Sequence, residues 1–257
     1  MVTSSLVSLL TLLAFQLAPD ILAQRLVDPQ LLVRVTSANQ LVSEVEGTPE
    51  ILRDAAIQDH LITALEFENE FTLRNLERVT QGKTPLFEEE YGEHYSQVLG
   101  LADRLRRESL AAPQRTRLLK ALVLGVYNGD SPFAVRLAKE GETISPFVLQ
   151  AVKSSNGPTR WNGFDLIGLM FTHQRAGALA VPLSAQTREA FRLAAREGLH
   201  DPAPDVRRTA VSAVVAAMDV GALPLLRYLA EKDSDARGPW SVRALAAEGV
   251  HRLQQSR

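Results

Sequence analysis

Cysteine is absent from the 257 residues. That excludes disulfides, thiolate-bound zinc, thiol catalysis and the acylated cysteine of bacterial lipoproteins. A surplus of one charge is missing too: 28 Lys and Arg face 30 Asp and Glu, a formal net charge of −2. So even a balance argues against a dedicated nucleic-acid binder, which carries a strongly basic one. Aromatic residues are only 6% of the chain. No stretch alternates apolar and polar residues with period two between turn signals, so strands are not expected. There is no GxSxG elbow, no GxxxxGKS phosphate loop, no GxGxxG and no HExxH, and with them go the common signatures of hydrolases, nucleotide sites and zinc sites. No cofactor is expected. What remains is 46% hydrophobic and 23% charged, an ordinary globular composition long enough for one large domain or two small ones.

Long apolar runs are scarce as well, with one exception. Leu6 to Ala18 is apolar apart from Ser8, Thr11 and Gln16, and Pro19-Asp20-Ile21-Leu22-Ala23-Gln24 follows. The run is shorter than the roughly 20 residues a membrane span needs. A short apolar core, a helix-breaking proline and a small residue before a polar one match a secretory signal peptide. The expectation is a signal over residues 1–23, cleaved after Ala23, and a secreted or periplasmic bacterial chain with no stable membrane insertion. Met1 to Ser5 lacks the usual Lys or Arg. The competing readings are an uncleaved anchor and a buried N-terminal helix.

Beyond Gln24 the spacing reads as helix throughout. Leu31, Leu32, Val35, Ala38, Leu41, Val42 and Val45 recur on one helical face. Thr48-Pro49, Thr84-Pro85, Ser131-Pro132 and Ser145-Pro146 each pair a capping hydroxyl with a proline fit for the first turn. A long helix is expected from Pro49 to Thr80. Gly47, Gly82, Gly129, Gly141 and Gly198 fall where helices should stop. Residues 44–95 hold 13 acidic against 4 basic residues, and from Arg104 onward 22 basic face 14 acidic. An acidic N-terminal helical segment, 24–110, is therefore set apart from a helical region, 111–257.

The second region repeats. Phe147 to Val152, Gly157-Pro158 and Trp161 to Met170 make one unit. Phe191 to Arg196, His200 to Arg208 and Ala210 to Met218 make the next, and Leu223 to Leu229, Asp233 to Asp235 and Gly238 to Ala244 the third. Each reads as a helix, a turn rich in Asp, Gly or Pro, and an Ala-rich helix. Leu223-Pro224-Leu225-Leu226, the Asp201-Pro202 to Val206-Arg207 turn and Val242-Arg243-Ala244 resemble the HEAT-repeat family, best over 184–254 and less over 113–180. The resemblance implies an all-α solenoid of helical hairpins sharing one core, with an additional N-terminal helical segment. It also implies a binding surface along the second helices, used to hold another protein or peptide. Asp205, Arg207, Asp235 and Arg243 read first as turn scaffolding.

The candidate binding residues are Arg160, Trp161, Arg207, Arg208, Trp240 and Arg243, types that dominate binding hot spots. With so many arginines the expected partner is acidic, and not a nucleic acid. Trp161 and Trp240 each open a helix after a Gly-Pro turn and could share an edge of the solenoid. HEAT-like DNA glycosylases hold a cationic base with a Trp and an Asp one helical turn apart, the spacing of Trp161 and Asp165; bilin lyases also use such repeats. An enzyme on this scaffold, or a structural part of an envelope assembly, is thus the alternative to a non-catalytic scaffold. Glu66 and Glu70 with Glu90 and His94 could approach a metal site, but the two i, i+4 pairs lack the Glu-x-x-His spacing of carboxylate-bridged bundles. A solvated acidic face is the expected reading, and no metal is assigned.

Overall fold

A computed structural model describes residues 17–80, 83, 84, 89–125 and 132–255. The expected leader up to Gln16 and the turn residues Gly82, Pro85, Gly129 and Ser131 lie outside them. Every regular element among the described residues is helical. The α-helices are α1 (Pro19–Gln24), α2 (Leu31–Gly47), α3 (Ala55–Thr80), α4 (Glu89–Leu105), α5 (Ala112–Leu124), α6 (Pro132–Ala138), α7 (Ser145–Ala151), α8 (Gly157–Arg175), α9 (Ala185–Gly198), α10 (Pro204–Ala216), α11 (Leu223–Lys232) and α12 (Val242–Gln255). None is long and apolar enough to cross a membrane.

The chain divides into two compact units, residues 1–67 with 87–114, and 68–86 with 115–257. In the first unit α2 packs on α1 and α4. Its buried face is Arg34, Ser37, Ala38, Leu41 and Val45, and Leu32, expected on that face, is exposed. The helix expected from Pro49 starts later. Pro49–Arg53 is a 3-10 turn, and α3 begins only after Asp54, whose Oδ1 accepts the amides of Ala56 and Ile57. An aspartate with two amide contacts thus caps the helix, and the Thr48 hydroxyl makes no cap bond. Ser145 likewise turns its hydroxyl to the Gly141 carbonyl and leaves α7 uncapped.

Within the second unit the repeated hairpins expected from the sequence are present: α7–α8, α9–α10 and α11–α12 stack in order. The second helices form a row, α8 on α10 and α10 on α12. Phe164, Ile167, Phe191, Val211, Val214, Leu226 and Val242 are buried in the shared core, which no single hairpin could close alone. Small residues set the spacing. A Cβ on Gly198 would lie 2.5 Å from Phe164 Cζ and 2.9 Å from Ala210 Cβ, so this glycine, expected as a helix stop, marks where α9 touches both neighbouring second helices.

The turns are fastened by one repeated device. Arg160 forks onto Asp201 at 2.6 and 2.9 Å, while its Nη1 donates to the Ser154 and Ser155 carbonyls, both at 3.0 Å. Arg207 forks onto Asp233, both bonds at 2.8 Å, and its Nη1 donates to the Asp201 and Pro202 carbonyls at 2.8 and 3.1 Å. Each guanidinium therefore grips its own turn, six and five residues back, and the turn of the next hairpin. Each aspartate also accepts an amide two residues ahead, Ala203 for Asp201 and Asp235 for Asp233, folding its own turn. The first unit holds the same local half: Arg34 Nη1 donates to the Asp28 and Pro29 carbonyls, and Asp28 accepts the Gln30 amide.

Candidate functional site

The row of second helices carries a groove on one side. Trp161 enters it from the fifth residue of α8, a helix whose start is fixed by Asn156, whose side chain accepts the Thr159 amide. Trp240 enters from the turn before α12. Gly238 takes the left-handed conformation there, with φ +81°, and the Ser241 hydroxyl accepts the Ala244 amide. With both ends of the turn held, Trp240 stands 75% exposed while Trp161 is half-buried. The two indoles, Asp165, Asp205, Arg208 and Leu245 line a cavity of about 270 Å³.

That cavity adjoins a larger one of about 740 Å³, and Ser212, Trp240 and Leu245 line both. The larger cavity is floored by Val211, Val215, Ala216 and Gly249 and edged by Thr172, Arg175, Glu248, Arg252 and Gln255. Met218 closes one side with φ +53°, in the left-handed region where side chains are disfavoured by about 1–2 kcal/mol. The Met218 and Asp219 amides bond the Val215 and Val214 carbonyls, the helix ending usually given to glycine. An exposed thioether thus sits in a strained position beside the groove, and such outliers gather at functional sites.

The six residues selected from the sequence divide into two sets. Trp161, Arg208 and Trp240 come together in the smaller cavity. Arg160, Arg207 and Arg243 turn to the chain's own backbone and carboxylates, Arg243 Nε donating to the Ala230 carbonyl at 3.1 Å. Arg208 is matched as well, by Asp235 at 2.9 Å and Asp205 at 2.6 Å. The Arg208 hydrogen bond, followed by that of the Val242 amide, holds the Asp235 carboxyl below the usual carboxylate range. Met218, Val215 and Leu245 were not singled out from the sequence. A left-handed methionine leaves no sequence mark, and Val215 and Leu245 look like ordinary core positions in an Ala-rich helix.

The other candidates do not assemble. Glu66 and Glu70 are exposed and Glu70 is paired with Arg74, whereas His94 is buried and the Glu90 side chain lies outside the described residues. Among the described residues no three His, Asp or Glu converge as metal ligands.

No family model and no curated protein matches this chain. Among solved structures it is similar to an engineered protein of the Northeast Structural Genomics Consortium, at 11% identity and a TM-score of 0.41 over 92% of this chain and 96% of that one. A second engineered protein of that consortium gives 11% and 0.40 over 93% and 99%. The designed armadillo repeat protein YIII(Dq)4CqI gives 12% and 0.36 over 92% and 100%.

Proposed function

We propose that this chain is an exported, HEAT-like scaffold without catalysis of its own, which holds a segment of another protein in the groove along α8, α10 and α12. The carrying observation is the meeting of Trp161, Trp240 and the strained Met218 on one groove, above an apolar floor. Large aromatic anchors in a recess are what protein-binding surfaces are built around. The HEAT-like assignment is supported by the Arg207–Asp233 and Arg160–Asp201 forks, which give the repeated Asp and Arg a shared task. Export is supported by the apolar run Leu6–Ala18. Leu22 and Ala23 are buried in α1, which packs on α2, and this supports the competing reading of a retained, buried N-terminal helix over cleavage after Ala23. The acidic partner expected from the sequence would have to compete with Asp201, Asp233 and Asp235 for the guanidiniums.

Selection of displayed random peptides against the full chain tests the reading. Peptides should enrich on the wild type and lose binding about tenfold or more on Trp240→Ala. Ser212→Arg, a bulky change at an exposed residue shared by both cavities, should do the same. If no peptide enriches, or both variants bind as the wild type does, the groove is not a docking surface.

One observation favours a second reading. Trp161, Asp165 and Trp240 line a single cavity, so the Trp and Asp of the glycosylase resemblance share it with a second indole. Excision of an N-alkylated base from DNA, abolished by Asp165→Asn, would replace the scaffold reading with an enzymatic one. Constant association with one large envelope complex would identify a structural component instead.

A further inference from the structure

We propose that the cavity between Trp161 and Trp240 receives a lysine or arginine side chain of the bound segment; this rests on the scaffold reading and adds the chemistry of the partner. Two observations carry it. First, the cavity presents two indoles, and the face of an indole attracts a cation more strongly than any other side-chain ring. Second, the balance of charge there is acidic. Asp165 and Asp205 line the cavity, and its one cation, Arg208, already faces two carboxylates, Asp205 and Asp235. One guanidinium is thus set against two carboxylates, Asp205 and Asp235, in a cavity that Asp165 also lines. The Asp205 side chain remains 69% exposed while bonded to Arg208, so an incoming cation can reach it. At about 270 Å³ the cavity suits the end of a long side chain better than a whole helix, and the adjoining apolar floor at Val215 and Met218 would take a neighbouring aliphatic residue.

The sign of the partner is therefore opposite to the one arginine content alone suggested. Arginines that fasten turns contribute little outward field, whereas the Asp205 carboxylate is 69% exposed on the same cavity as the rings.

Two measurements test this. In the first, the Lys or Arg of each groove-selected peptide is replaced by norleucine, which keeps the aliphatic stem and removes the charged end. Binding by the wild type should fall about tenfold, and the same replacement should cost little in Asp165→Asn/Asp205→Asn, because the coupled partner is gone. Selected peptides without a common basic residue, or equal losses in both proteins, would overturn the inference while leaving the scaffold reading in place. If no peptide is selected at all, the scaffold reading fails first. The second measurement needs no partner, and circular dichroism of each variant checks that it is folded. The chain has only two tryptophans, both in the cavity, so their fluorescence reports on it alone. Caesium should quench them more, relative to iodide, than it quenches free N-acetyltryptophanamide, and the double Asp→Asn variant should abolish the preference. A preference for iodide in the wild type would sink the idea.

Discussion

Arg207 is 11% exposed and its partner Asp233 4%, so neither charge leans on water. Removing one member of such a pair strands the other, a loss of about 3–5 kcal/mol in buried pairs. Arg207→Ala should accordingly lower the unfolding free energy of the full chain in urea by about 3 kcal/mol or more. Arg207→Lys should recover only part of this, since an ammonium cannot fork onto a carboxylate while also bonding two carbonyls. Trp240 is the contrasting case. It is exposed, so Trp240→Ala should change stability by no more than about 0.5 kcal/mol and act on binding alone. Residue type by itself does not distinguish these roles. Arg and Trp are both hot-spot residues, and only their surroundings decide which of them faces outward.

Among the elements, α9 depends on how closely it meets α8 and α10. Gly198→Ala would push a methyl group against the Phe164 ring and the Ala210 Cβ, and overpacking of this kind costs about 1–3 kcal/mol, readable as a lower melting temperature. The position was legible as a stop, and α9 does end there; its close approach was not, because that is a fact about neighbours far away in sequence. The hairpins themselves were legible, because apolar spacing and the Asp-Pro turns are local. A further motif is equally local. Asp28-Pro29 to Val33-Arg34 matches Asp201-Pro202 to Val206-Arg207, and the two arginines bond the carbonyls six and five residues back. Helix starts were less legible. Thr48-Pro49 looks like a start, yet the chain passes through a 3-10 turn and lets Asp54 cap α3. The joining of Trp161 and Trp240 could only be suspected, since it depends on how α8, α10 and α12 stand side by side.

At the scale of the whole molecule, several groups make stability depend on pH in one direction. Burial opposes the charge on Glu142, but the Thr187 hydroxyl and the Ser184 amide and hydroxyl outweigh it and hold the carboxyl below its ordinary range. Asp235 is lowered in the same sense. Burial, then the charge of Lys139, lowers His173. A lowered folded-state value means the unfolded chain binds the proton more readily, so each contribution is present above the unfolded value and lost as pH falls. Melting temperatures should therefore begin to drop below about pH 6.5 through His173 and drop further below about pH 4 through the carboxylates. Glu142→Gln should flatten the second drop, and a melting temperature independent of acid would contradict the assignment. The forks between hairpins have a consequence of another kind. Because Asp201 and Asp233 each shape their own turn and also receive the arginine from the hairpin before, a stretch of gene copied from any point to the equivalent point one hairpin later carries one whole fastening with it. Tandem duplication could lengthen such a chain without any new residue having to arise, whereas a deletion of part of a hairpin would leave one half of a fastening behind.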